Sequence, residues 1–140
     1  MIVVVDTNVF VSACIGGGAS NAVVAACLRG DHRPLMGAAL LAEYEDVLGR
    51  RSLFTRSRLT IAERSELLDI FLAGALWTRV YFGWRPNLRD EADNHIVELA
   101  VAGDASHIIT RNIADFARME LHFPALSIRT PEQFLRETRK

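Results

Sequence analysis

The sequence predicts an α/β fold, a single domain with a mainly parallel central sheet flanked by helices on both faces. Three observations carry this expectation. Short apolar runs alternate with helix-length amphipathic stretches along the whole chain. The first run, Ile2-Val3-Val4-Val5, is continuously β-branched, as a parallel strand buried on both faces requires. Finally, 140 residues with 50% hydrophobic and 24% charged side chains can bury one core without staples.

In order, residues 1–5 form the first strand, and Gly16-Gly17-Gly18 breaks the stretch after Asp6. Ser20 is placed as the N-cap of a helix over 21–29, with Gly30 as its stop. A short extended piece, 34–36, leads into a helix over 38–48, where Leu40, Leu41, Tyr44, Val47 and Leu48 share a face. The connector 49–58 carries four Arg and no acid. Thr60-Ile61-Ala62-Glu63 is a capping box opening a long amphipathic helix to about residue 77. Residues 80–82 are strand-like and 83–87 end that strand; 92–102 reads as a helix with Gly103 as its stop. Strands follow at 106–110 and 126–129. Thr130-Pro131-Glu132-Gln133 combines an N-cap, a Pro at the first helical position and a Gln that reaches back, so a last helix is expected.

A net charge of −1 gives no whole-molecule attraction to a polyanion, so nucleic-acid binding needs a local basic patch or a bridging metal. Fifteen of the sixteen basic residues are Arg, read first as genome composition. Cys14 and Cys27 lack zinc-type spacing and are expected to be reduced thiols. The four His are scattered without metal-ligand spacing. With neither a leader-like segment nor an apolar run of membrane-span length, a cytoplasmic protein with no membrane partner is expected.

The acids carry the functional signal. Asp6 closes the first strand, Glu43 stands mid-helix among apolar residues, Asp90 and Asp93 open a helix three residues apart, and Asp115 follows the strand at 106–110. Sites on parallel sheets form beyond the carboxyl ends of the strands. Carboxylates crowded there are kept when something cationic sits among them, and hard oxygen donors suit Mg²⁺ or Mn²⁺. Each acid also has a plain structural reading. Asp6 and Asp90 could be helix caps, Asp93 a first-turn dipole residue, Glu43 part of a solvated face with Glu45 and Asp46, and Asp115 a surface cap. The only Lys is Lys140, which disfavours receiver domains and haloacid-dehalogenase-type phosphatases, and no P-loop or dinucleotide fingerprint is present.

Taken together, these segments resemble the PIN-domain nucleases, in particular the VapC-type toxins of toxin–antitoxin pairs. The likeness lies in Val4-Val5-Asp6-Thr7-Asn8-Val9-Phe10-Val11-Ser12-Ala13, in Leu40-Leu41-Ala42-Glu43-Tyr44-Glu45-Asp46-Val47-Leu48, in the stretch from Arg89 to Ala100, in Ile108-Ile109-Thr110-Arg111-Asn112-Ile113-Ala114-Asp115-Phe116, and in the ending Thr130-Pro131-Glu132-Gln133-Phe134-Leu135. The resemblance implies a metal-dependent endoribonuclease. Asp6 and Asp93 would hold Mg²⁺ or Mn²⁺, and Glu43 and Asp115 would complete the catalytic set. Thr7, Asn8, Asp90 and Asn112 would support it, and Arg89 and Arg111 are candidates to hold RNA. It also implies a small antitoxin partner and a homodimer. Many members carry an Asp where this chain has Asn112, so either Asp115 supplies the fourth carboxylate or the site works with three acids. The alternative reading is a non-catalytic PIN-type RNA-binding or scaffold module.

Overall fold

The computed structural model describes residues 1–57, 59–80, 91–116 and 123–138, with the side chains of residues 51 and 91–93 left out. Five strands, β1 (Ile2–Val5), β2 (Arg33–Met36), β3 (Leu76–Trp77), β4 (His107–Ile109) and β5 (Ser127–Arg129), form one sheet in the order β3-β2-β1-β4-β5. All four pairings are parallel. The described helices are α1 (Thr7–Ile15), α2 (Ala19–Leu28), α3 (Ala38–Leu48), α4 (Ile61–Ala73), α5 (Glu91–Ala102) and α6 (Pro131–Thr138), with 3-10 turns at Arg51–Phe54 and Ile113–Phe116. Parallel neighbours cannot be joined by hairpins, which is why helices stand between the strands.

Val3, Val4 and Val5 are all buried, and so are Ile108 and Ile109 beside them. Alternate side chains of a strand point to opposite faces, so the central strands are covered on both sides. Phe10 of α1, Tyr44 of α3 and Phe71 of α4 meet with ring centroids 5.2 to 6.1 Å apart, and this aromatic knot ties the three helices together. No single described helix is long and apolar enough to cross a membrane.

Local signals place several boundaries as expected. Thr60 and Glu63 form the reciprocal capping box at α4, and Thr130 with Gln133 does the same at α6. Gly30 ends α2 at φ 84°, with the amides of Gly30 and Asp31 bonded back to Cys27 and Ala26. That is the left-handed termination glycine accepts without steric cost.

Three expectations need correction. Ser20 is no cap: α2 begins at Ala19 behind Gly18, and Ser20 is buried within it. α4 stops at Ala73, before Gly74, instead of running to 77, because Leu76 and Trp77 pair with Leu35 and Met36 and extend the sheet edge. The third strand is therefore Leu76–Trp77; of the expected 80–82, Val80 lies outside any strand and 81–82 lie outside the described residues. α5 ends at Ala102, directly before Gly103 as expected, while the left-handed conformation falls on Asp104 (φ 57°). Gly103 is small for another reason: a Cβ there would lie 2.4 Å from Leu35 Cδ1.

Candidate active site

Parallel sheets open a crevice where the strand order reverses, just beyond the carboxyl ends. In the order β3-β2-β1-β4-β5 that point lies between β1 and β4. The register aligns Val5 with Ile109, so the next residues, Asp6 and Thr110, face each other at the mouth of the crevice. Thr110 Oγ1 donates to Asp6 Oδ2 at 2.9 Å, and the Asp6 amide is anchored on the Ile109 carbonyl.

Asp6 precedes α1 in the N-cap position, yet its side chain makes no cap hydrogen bond. Its carboxylate is turned into the crevice, where it is 5% exposed. Asn8 Nδ2 donates to Asp6 Oδ2 at 3.3 Å and to Thr110 Oγ1 at 3.3 Å, while the Arg111 amide donates to Asn8 Oδ1 and fixes that orientation. Thr110 Oγ1 also accepts the Asn112 amide at 3.1 Å. Its one donor and two acceptor positions are thus filled.

Glu43 arrives from α3. The next residue, Tyr44, donates its hydroxyl to the Val5 carbonyl at 2.6 Å, which pins α3 over the end of β1. Glu43 Oε1 accepts from Thr7 Oγ1 at 3.0 Å, and Glu43 Oε2 lies 2.7 Å from His95 Nε2. The Thr7 hydroxyl is 3.5 Å from Asp6 Oδ1, so its single proton belongs to Glu43 and its body separates the two acids.

The two carboxyls are pushed in opposite directions. Burial raises the Asp6 pKa above its ordinary value and the charge of Glu43 adds to this, against the Thr110 hydrogen bond. The His95 hydrogen bond lowers that of Glu43, against its partial burial, and Thr7 adds to the lowering. Among the described residues Asp6 has no ion-pair partner. On its other side His95 lines a cavity of about 360 Å³ with Leu40, Thr78, Arg79, Glu98 and Leu99.

The structure thus brings Asp6, Thr7, Asn8 and Glu43 together. Among the described residues no group of three or more His, Cys, Asp or Glu is placed to hold a metal ion. Asp93 stands in the first turn of α5, two residues before His95, with its side chain outside the described residues. Asp90 and Arg89 also lie outside them. Asp115 is exposed on the 3-10 turn Ile113–Phe116, and among the described residues it makes no hydrogen bond to the cluster. Asn112 enters through its backbone, its side chain being exposed.

Arg111 is committed elsewhere. Its guanidinium gives two hydrogen bonds to buried Ser20 Oγ (2.9 and 2.6 Å) and pairs with Glu132 at 3.0 Å, clamping the start of α2 to α6. Sequence reasoning assigned no role to Thr110 or His95. Thr110 had one usable signal, its place one residue beyond a strand that aligns with the first. His95 had none, since its partner is 52 residues away.

No curated protein matches the chain. Among solved structures, a chain from VapBC2 of Rickettsia felis, bound to a DNA fragment from their promoter, superposes with a TM-score of 0.61 at 20% identity. The match covers 93% of this chain and 98% of that one, which establishes a shared fold. Residues 2–114 match the model of the PIN domain, a stretch that begins with β1 and spans Asp6, Glu43, Asp93 and Thr110; the chain belongs to the PIN-domain family.

Proposed function

We propose that this chain is a metal-dependent endoribonuclease that hydrolyses RNA phosphodiester bonds, the toxin half of a toxin–antitoxin pair. The observation that carries the reading is the buried Asp6 carboxylate at the sheet's switch point, facing Glu43 with no cation paired to it among the described residues. Two hard oxygen donors suit Mg²⁺ or Mn²⁺, which bind through one or two carboxylates and keep waters and substrate phosphate for their other positions. The thiols do not compete for this role: burial pushes Cys14 up to about 11 and Cys27 to about 12.

In this reading Asp6 and Asp93 hold the ion, with Glu43 and Asp115 completing its shell directly or through water. When bound, the ion supplies a water activated at neutral pH and stabilises charge developing on the phosphate. The protein's own part is orientation. Thr110 and Asn8 fix Asp6, and Thr7 and His95 fix Glu43, whose carboxylate is held ionised. His95, which holds Glu43, also lines the cavity of about 360 Å³. With Arg111 tied to Ser20 and Glu132, backbone contacts fall to other Arg, Arg79 at that cavity among them.

The antitoxin reading is supported by exposed apolar side chains, Ile61 (61%) and Ile70 (51%) on α4 and Trp77 (56%) at the sheet edge, and by the likeness to a VapBC2 structure. Leu68 and Phe71 of the same helix are spent on the core.

The deciding experiment incubates the purified chain with single-stranded RNA and Mg²⁺ or Mn²⁺, against EDTA and against Asp6→Asn. Cleavage by the native chain with metal alone, together with a metal-dependent rise in Tm missing from the variant, is expected. Equal thermal responses from both proteins would remove the metal site, and RNA left intact would leave a binding module. Light scattering, and growth on overexpression with and without a neighbouring small gene, test the homodimer and the antitoxin.

A further inference from the structure

We propose that His95 is a positioning residue of the acid cluster: with Thr7 it holds both oxygens of Glu43 and sets how that carboxylate faces Asp6. The consequence for catalysis rests on the nuclease reading; the geometry stands without it.

A glutamate has three rotatable bonds, and Glu43, with a side chain 28% exposed, has room to turn. Two donors from two separate elements remove that freedom. Thr7 Oγ1, at the start of α1, takes Oε1 at 3.0 Å, and His95 Nε2, on α5, takes Oε2 at 2.7 Å. A donor to a carboxylate at that distance belongs to the stronger class of hydrogen bonds. His95 sits on the helix that carries Asp93, so the orientation of Glu43 is tied to the element bearing the other proposed ligand.

The rest of the imidazole is poorly served. Its side chain is only 12% exposed, and Nδ1 is buried without a hydrogen-bond partner among the described residues. With Nε2–H given to Glu43, a neutral ring leaves Nδ1 an unpaired acceptor and a protonated ring leaves it an unpaired donor. Turning the ring over would put carbon against Glu43. An apolar residue in this place would bury no unpaired ring nitrogen. What the histidine adds over such a residue is its bond to Glu43.

The test is a mutant cycle with a conservative rescue. With RNA and Mg²⁺, His95→Ala is expected to slow cleavage ~10–100-fold, the usual range for a residue that orients a metal-site carboxylate. His95→Gln, whose amide N–H can donate from near the place of Nε2, is expected to recover most of that loss. In a Glu43→Gln background, His95→Ala is expected to change the rate less than ~2-fold, because the group it acts through is already altered. Metal-free protein gives a readout independent of activity: in nitrogen-edited NMR the His95 Nε2 proton should be protected and low-field, and should move or vanish in Glu43→Gln. Equal losses in the Gln and Ala variants, the full Ala loss repeated in Glu43→Gln, or an Nε2 proton indifferent to Glu43→Gln would each overturn the proposal. If the native chain cleaves no RNA with either ion, the nuclease reading falls and the NMR comparison still decides the role of His95.

Discussion

Replacing Asp6 by Asn is expected to stabilise the metal-free protein. The Thr7 hydroxyl lies 3.5 Å from Asp6 and 3.0 Å from Glu43, so the two charges face each other across no more than ~6.5 Å. At an effective dielectric constant of about 20 that repulsion is about 2.5 kcal/mol; in full water screening it falls to about 0.6. Asp6 is deeply buried and Glu43 partly open, which argues for about 1–2 kcal/mol between these limits. The bonds from Thr110 and Asn8 survive the exchange. The new amide can place its oxygen where Oδ2 was, accepting from Thr110 and Asn8, and its nitrogen can donate to the free lone pair of the Thr7 hydroxyl. For a domain of this size, about 3 °C per kcal/mol predicts a rise in Tm of about 3–6 °C in EDTA at neutral pH.

The sign with pH comes from the raised Asp6 pKa. Its neutral form is favoured by the fold, so the native chain carries no penalty below the ordinary value of 3.8 and acquires it as pH rises through the raised folded value. The variant's advantage should therefore be full near pH 7 and shrink toward zero below pH 3.8. Saturating Mg²⁺ should shrink it as well, by stabilising the native protein alone. Thermal melts of both proteins across pH, with EDTA and with Mg²⁺, check this. A variant less stable than the native chain at neutral pH, or an advantage unchanged at low pH, would refute the reasoning.

Arg111→Ala should cost about 2 kcal/mol, or about 6 °C, by removing three hydrogen bonds that join α2, the turn after β4 and α6. Arg111→Lys should not restore it, since an ammonium cannot span that fork; an unchanged Tm in Arg111→Ala would show the clamp to be idle. Asp93→Asn should lower RNA cleavage by at least ~10²-fold, while Asp90→Asn leaves most of it, and kinetics reversing that order would move the ligand to Asp90. Arg64 is 6% exposed, lies 4.1 Å from the Phe54 ring, donates to the Leu59 carbonyl and leaves Nε without a partner among the described residues. Arg64→Met should change stability by less than about 1 kcal/mol in urea unfolding, and a loss above about 2 would reveal a role for the cation.

Features whose physics is local, or whose environment is uniform, were legible in the chain alone. The valine run of β1 is legible because burial on both faces leaves no alternation to decode. The capping boxes at Thr60 and Thr130 and the stop at Gly30 are legible because each is settled within a few residues. Asp6 stood out for the same reason, as a charge directly after a buried strand. Packing decided the rest, wherever local preference gave way to a distant partner. Leu76 and Trp77 read as the continuation of α4 until β2 offers them an edge to pair with. Ser20 reads as a cap until Arg111, 91 residues away, claims its hydroxyl. Thr110 meets Asp6 across 104 residues and His95 meets Glu43 across 52, separations to which no spacing rule applies. A carboxylate's neighbours in a parallel sheet are set by which strands lie side by side. That order is a property of the packed sheet, where hydrophobic burial selects one arrangement of strands, and local propensity carries no trace of it.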